Sequence, residues 1–253
     1  MNPIKKFIYN NIIPIVGRIF RYKNKFINVI YYHDIVSNAG NSFQQTNIDT
    51  FMKQMNYLVE HGYETVRFDD LKSEYNEIYN PKRIIIAFDD GWKSNYEKIY
   101  DYMKSKGLKY NIYLTVKEIG INPDYLTWEQ VRLMHDEGCV GFGAHTYTHP
   151  HIDRIDNIDP KIEFEKANSI FKRKLGYEPM DFCYPYGTYT EDTNDWITTH
   201  LNYKRIYTSR LMYSYRQNGK LIFGRNGINT DETFGVFKAK VNGYFNVWRT
   251  ILG

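Results

Sequence analysis

Cysteine is nearly absent from this chain: Cys139 and Cys183 are the only two in 253 residues, too few for a disulfide framework. Such sparse cysteine suits a reducing compartment, and a cytoplasmic location is expected. An excess of charge of one sign is also lacking. The formal net charge is only +4, and the basic residues are scattered rather than interleaved with aromatics, which argues against a nucleic-acid partner. No low-complexity tract or linker divides the sequence, so residues 26–253 are expected to form one domain with a continuous core. Long apolar runs are missing as well. The stretch from Phe7 to Phe20 is interrupted by Asn10, Asn11, Pro14 and Arg18. It is too broken to span a bilayer, and it lacks a small-x-small cleavage site. Residues 1–25 therefore read as a basic amphipathic segment. It either lies on a membrane surface, at the inner face, or packs as a helix across one end of the fold.

Tyrosine, by contrast, is abundant, with 24 residues. Its flat apolar face and hydroxyl suit a sugar-binding cleft; drift in a chain also rich in Asn, Ile and Lys is the plainer reading. A recurring unit organises the rest. Phe51, Met55, Leu58 and Val59 share a helix face before Gly62, and Tyr96, Ile99, Tyr100 and Met103 do so before Gly107. Trp128, Val131 and Met134 precede Gly138, and Ile162, Ile170 and Phe171 precede Gly176. Each glycine stands where a helix C-terminal cap is expected, and a short strand-like run follows it. Alternation of this kind predicts parallel βα units in an α/β fold. The consecutive apolar residues near 29–32, 84–88 and 112–116 suit strands buried on both faces. An open sheet and a (β/α) barrel both satisfy the pattern. The polar residues favour the barrel. His33, Asp89 and Asp90, His145 and His149, and Tyr186 all stand just past a strand's C-terminal end, the rim where barrel active sites collect.

The run Ile84-Ile85-Ile86-Ala87-Phe88-Asp89-Asp90-Gly91 ends a buried strand in two adjacent carboxylates. Two bare charges side by side are unfavourable there unless something compensates them, and a divalent cation is the simplest compensation. His145 and His149, four positions apart, complete an Asp90–His145–His149 set. One oxygen and two nitrogens suit Zn²⁺, with Ni²⁺, Co²⁺ and Fe²⁺ as alternatives, and leave positions open for water and substrate. His151 is a competing ligand or a plain loop histidine, the second being preferred. A bound cation would polarise a carbonyl and acidify water. Asp89 would then take the proton of that water as general base, and His33 would protonate a departing amine as general acid. Asp89 as a further ligand or an arginine partner, and His33 as a core histidine, are the plainer alternatives. A backbone N–H near Tyr186 would join the metal in stabilising the oxyanion.

Phe88-Asp89-Asp90-Gly91, His145-Thr146-Tyr147-Thr148-His149-Pro150 and Tyr184-Pro185-Tyr186-Gly187 resemble, in this order, three motifs of the polysaccharide deacetylases, carbohydrate esterase family 4. The resemblance covers roughly residues 28–230. It implies a distorted (β/α)₇ barrel of parallel strands with the active site at the strand C-terminal ends. It also implies metal-dependent hydrolysis of the N-acetyl group of an amino sugar in a polysaccharide or glycan precursor. Under it, Asp89 matches the base and Asp90, His145 and His149 the metal triad, while Tyr184, Pro185 and Tyr186 line the cleft and serve the oxyanion. The chain departs from the family pattern in two places. Cys183 stands where an arginine usually opens the third motif, and the late Leu-x-His acid motif is absent. Tyr31-Tyr32-His33-Asp34 instead resembles the poly-N-acetylglucosamine deacetylase branch, whose acid comes from an early strand, and Arg225 is expected to replace the missing arginine beside Asp89. Asp195-Trp196 is similar to the fourth motif only loosely, and a core tryptophan is the preferred reading. Rival expectations are a deformylase acting on a lipid-linked or nucleotide-linked formamido sugar, and a carbohydrate-binding module that has lost catalysis.

Overall fold

Short apolar runs of this chain become the wall of a barrel in the computed structural model, which describes residues 3–19, 26–38, 42, 44–71, 80–152, 158–209 and 214–247. The first strands are β1 (Asn28–Tyr32), β2 (Asp34–Val36), β3 (Gln45–Asn47), β4 (Glu64–Thr65), β5 (Arg83–Phe88) and β6 (Tyr110–Leu114). They are followed by β7 (Val140–Ala144), β8 (Asp181–Cys183), β9 (Arg205–Thr208), β10 (Tyr215–Gln217), β11 (Lys220–Gly224) and β12 (Asn226–Gly227). The main sheet runs β10-β11-β9-β8-β7-β6-β5-β1-β12, with β4 beside β5. Every pairing in it is parallel except β10 with β11. The ladder is not a closed ring. Its seam lies at Arg225, where one chain segment changes partners: Leu221–Gly224 pairs with β9, and Asn226 and Gly227 pair with β1.

Side-chain parity organises the interior, because successive strand residues point to opposite faces. Val29, Ile85, Ala87, Tyr113, Cys183, Tyr207, Leu221 and Phe223 form a cluster drawn from strands all round the wall. It contains no residue of the surrounding α-helices, so it is the barrel's inside. Residues of the other parity (Ile30, Tyr32, Ile84, Ile86, Phe88, Ile112 and Leu114) pack outward against Phe51, Met55, Met103, Val131 and Phe237 of the surrounding helices. Every inward position named is odd-numbered. Deeper in the barrel the same parity brings Asp181 against Arg205, in a two-point ion pair at 2.5 and 2.7 Å. Asn111 fills the split where β4 and β6 share β5, donating to the carbonyls of Val66 and Ile86 and accepting from the Phe68 N–H.

The helices are α1 (Pro3–Phe7), α2 (Ile13–Ile19), α3 (Ile48–Glu60), α4 (Ser94–Glu97), α5 (Tyr100–Ser105), α6 (Trp128–Asp136), α7 (Ala167–Leu175), α8 (Glu191–His200) and α9 (Phe234–Val241). Gly62, Gly107, Gly138 and Gly176 all take φ between 66° and 85°, the left-handed conformation of a helix cap. Two expected helix faces need correction. Val59 is 42% exposed and Ile162 43%. Val59 sits at the edge of the Phe51–Met55–Leu58 stripe. Ile162 lies in a π turn, Lys161–Lys166, whose wider winding rotates the register, so that Phe164 and Ala167 are buried in its place, while Phe171 is buried as expected.

The N-terminal segment docks on the fold. Ile13 and Gly17 are buried, and a side chain at Gly17 would place its Cβ 2.0 Å from the Tyr244 carbonyl oxygen. Tyr9 sets its ring edge-on to Phe245 and donates to Glu232 Oε1 at 2.7 Å. Residues 1, 2 and 20–25 of that segment lie outside the described residues. Among the described residues, no helix is long and apolar enough to cross a membrane.

Candidate active site

Extending the inward parity by one residue beyond each strand end gives His33 after β1, Asp89 after β5, His145 after β7 and Arg225 after β11. These side chains meet at the strand C-terminal rim. A pocket of about 120 Å³ opens there, lined by Tyr31, His33, Asp89, His145, His149 and Tyr186, with Gln44, Gly187 and Ser209.

Asp89 is almost fully buried, and Arg225 meets it as a fork, Nη1 to Oδ1 at 2.7 Å and Nη2 to Oδ2 at 2.9 Å. The guanidinium lies over the Tyr31 ring at 4.1 Å. Burial pushes the Asp89 carboxyl up, but Arg225, with His145 and His33, outweighs it and holds the group below the usual carboxylate range. His33 Nε2 stands 3.9 Å from Asp89 Oδ2. A proton acceptor and a proton carrier therefore share one wall of the pocket.

On the other wall are Asp90, His145 and His149. Asp90 takes φ 74 and His149 φ 62, turns that swing both side chains toward His145. His145 Nδ1 donates to the Cys183 carbonyl at 2.8 Å, which leaves Nε2 to face the opening. Trp92 Nε1 donates to Asp90 Oδ2 at 3.0 Å. The second Asp90 oxygen, Oδ1, is buried and lacks a hydrogen-bond partner, 3.5 Å from His145 Nε2 and 3.4 Å from His149 Nε2. An orphaned carboxylate oxygen converging with two imidazole nitrogens fits a divalent cation. Burial, reinforced by His145, lowers His149 to about 4, so its ring is a neutral donor at pH 7. Burial opposes charge on His145, but Cys183 and Asp90 outweigh it and raise its pKa. Asp89, His145 and Cys183 also lie within ligand distance of one another. That group suits a cation less well, because Asp89 is already paired with the Arg225 cation and burial pushes the Cys183 thiol up.

The third expected segment divides. Tyr186, 53% exposed and at φ 56, lines the pocket. Tyr184 and Pro185 do not line it: both are buried, and Tyr184, of outward parity, donates its hydroxyl to Asn194 at 2.7 Å. They act as the frame that presents Tyr186. Gly187 is forced by close approach, since a Cβ there would lie 1.6 Å from Ser209 Oγ. His151 stacks on Tyr186 at 3.8 Å, outside the Asp90 group, and Trp196 packs on Phe164 away from the pocket. Trp92, Gln44 and Ser209 escaped the sequence reading. Only Trp92 carried a signal, two residues after Asp90 in the same motif.

Residues 76–206 match the family model described as polysaccharide deacetylase. YxkH of Bacillus subtilis is 28% identical over 167 residues, 65% of this chain and 58% of that protein. Peptidoglycan-N-acetylglucosamine deacetylase of Bacillus cereus is 24% identical over 180 residues, 68% of this chain and 60% of that protein. The chain thus spans somewhat under two thirds of these curated relatives. In fold it is similar to the Streptococcus pyogenes deacetylase PplD, with a TM-score of 0.71 at 22% identity, covering 88% of this chain and 97% of that one. IcaB from Ammonifex degensii gives 0.69 at 21%, covering 87% and 97%. With over half its length under one family model and its barrel shared with these structures, this chain belongs to the polysaccharide deacetylase family.

Proposed function

We propose that the chain is a metal-dependent deacetylase, hydrolysing the N-acetyl group of an amino sugar in a polysaccharide or glycan precursor. The observation that carries this reading is the division of the pocket. Asp89 is kept ionised by Arg225 on one wall, and the unsaturated Asp90–His145–His149 set stands on the other. A divalent cation held there, most simply Zn²⁺, supplies Lewis acidity toward an acyl oxygen and toward water. Asp89 Oδ2 takes the proton of the attacking water, and His33 Nε2 delivers a proton to the amine nitrogen as the C–N bond breaks. Acetate and a free amino sugar result. Tyr186 offers its exposed ring to the sugar and its backbone N–H to the oxyanion. The pocket's small volume suits an acyl group while the sugar rests on the rim. The test is acetate release from N-acetylglucosamine oligomers, beside formate release from their N-formyl counterparts. Acetate release supports the reading, and formate alone would replace it with the deformylase.

We further propose that residues 3–19 rest on the anionic inner surface of a membrane while the barrel stays in the cytoplasm. Phe7, Ile12, Ile15 and Ile19 are 61%, 40%, 60% and 69% exposed. The π turn Ile8–Ile12 brings Phe7, five residues before Ile12, into line with them. Lys5, Lys6 and Arg18 flank the stripe, and their charge suits acidic headgroups. Sedimentation with phosphatidylglycerol vesicles, lost in Ile15→Asp and absent with phosphatidylcholine alone, tests it. Equal sedimentation of the parent chain and Ile15→Asp would refute it.

A further inference from the structure

The turn between His145 and His149 belongs to no helix or strand, yet both imidazoles must be aimed at one point. Thr146 stands at φ 65 and His149 at φ 62, conformations that a β-branched residue in particular rarely enters unless its surroundings impose them. One side chain from outside the turn holds its N–H groups, while the Val116 and Lys117 N–H groups hold the Thr146 and Tyr147 carbonyls at 3.2 and 3.0 Å. Glu163 Oε2 accepts the successive backbone N–H groups of Tyr147 at 3.1 Å and Thr148 at 2.9 Å, and Glu163 Oε1 accepts the Thr148 hydroxyl at 2.6 Å. Two consecutive N–H groups converging on one oxygen form an anion nest, here filled by the chain's own carboxylate. Inside the turn, the His149 N–H donates to Thr146 Oγ1 at 3.0 Å. Glu163 is only 6% exposed, and it belongs to the same π turn that leaves Ile162 facing solvent.

We propose that Glu163 is a positioning residue for the metal site: it fixes the turn so that His145 and His149 present their Nε2 atoms to the Asp90 carboxylate together. This inference rests on the metal-site reading of Asp90, His145 and His149. His145 needs little help, since its backbone N–H donates to the Leu114 carbonyl and its Nδ1 to the Cys183 carbonyl. His149 lies on the far side of the turn and inherits its place from it. Loss of Glu163 leaves the barrel intact, because Thr148 is exposed and Tyr147 half-buried, so the freed N–H groups turn to water. The Thr148–His149 half of the turn, beyond the backbone bonds at Thr146 and Tyr147, then samples other conformations, and the ligand set is no longer preformed.

The experiment measures Zn²⁺ affinity by competition with a chromophoric chelator, and the visible absorption of the Co²⁺ form. Both are read well below the melting temperature, so that only folded protein is compared. Glu163→Ala is expected to weaken Zn²⁺ binding about 10–100-fold, the range seen when groups behind metal ligands are removed, and to alter the Co²⁺ spectrum. Glu163→Gln restores most of the affinity, because its amide oxygen still accepts the backbone N–H groups and its NH₂ donates to Thr148 Oγ1. Thr148→Val removes one of the three bonds and gives an intermediate loss, which decides the matter if Glu163→Ala does not fold. Parental affinity and an unchanged Co²⁺ spectrum in the folded Glu163→Ala chain, or in Thr148→Val if that chain alone folds, would overturn the role of Glu163 while leaving the metal site standing. Failure of the parent chain itself to bind Zn²⁺ or Co²⁺ would overturn both.

Discussion

Arg225 and Asp89 are 136 residues apart in sequence, and each oxygen of the carboxylate meets its own nitrogen of the guanidinium, at 2.7 and 2.9 Å. The arginine arrives from the seam between β11 and β12, with only β9 between β11 and the β8 strand of Cys183, whose sulfur lies 3.9 Å from Asp89 Oδ1. Seen from Asp89, the cation that the third motif lacks has been supplied from another strand.

That pairing sets a pH dependence. Burial raises the Asp89 pKa and Arg225 lowers it, with a net depression, so the base stays ionised through mild acid. Arg225→Gln removes the main lowering cause and leaves the raising one. The acid limb of the pH–rate profile should therefore move to higher pH, with activity at pH 7 falling by at least about tenfold. A profile unmoved on its acid side would mean that Arg225 does not tune Asp89.

Asp89→Asn keeps the shape of the side chain but cannot take a proton. Turnover should fall by about 10²–10⁴-fold, with Zn²⁺ content unchanged, because the proposed cation set is Asp90, His145 and His149. Loss of Zn²⁺ in this variant would make Asp89 a ligand and reverse the two aspartates' roles.

His33→Ala should slow turnover and leave Zn²⁺ content intact. The loss should shrink with substrates whose leaving amine is less basic, since such amines need less protonation to depart. Full activity in the variant would remove His33 from the reaction.

Gly187→Ala tests the frame behind Tyr186. With φ at 65 and Ser209 Oγ in the way, the methyl should lower stability by about 1–3 kcal/mol, read as a drop in melting temperature. Adding Ser209→Gly should recover part of it. No loss in the single variant would mean that the turn relaxes freely.

Much of this was legible in the sequence because barrel strands bury both faces and end at one rim. The runs at 84–88 and 112–116 announced buried parallel strands, and four glycines marked four helix ends. Parity was the unread signal. Counting by twos from Val29, Ile85 and Phe223 reaches His33, Asp89 and Arg225, and the same count sends Tyr184 outward. Asp90 breaks parity and reaches His145 and His149 only through its own left-handed conformation, which no hydrophobic pattern records. Ile162 was misplaced for a similar reason: one π turn shifts the register of a helix and leaves no mark on composition. The fork between Arg225 and Asp89 depends on the seam, a property of how the barrel closes rather than of any local stretch.

In the proposed reaction, Asp90, His145 and His149 hold the cation on which hydrolysis depends. The most direct measurement is the metal content of the purified chain, paired with acetate release from N-acetylglucosamine oligomers before chelation, after it, and after Zn²⁺ is returned. The prediction is one metal per chain, acetate release abolished by the chelator, and recovery on adding Zn²⁺. A chain that takes up no metal on reconstitution, or that releases acetate equally well after chelation, would contradict it.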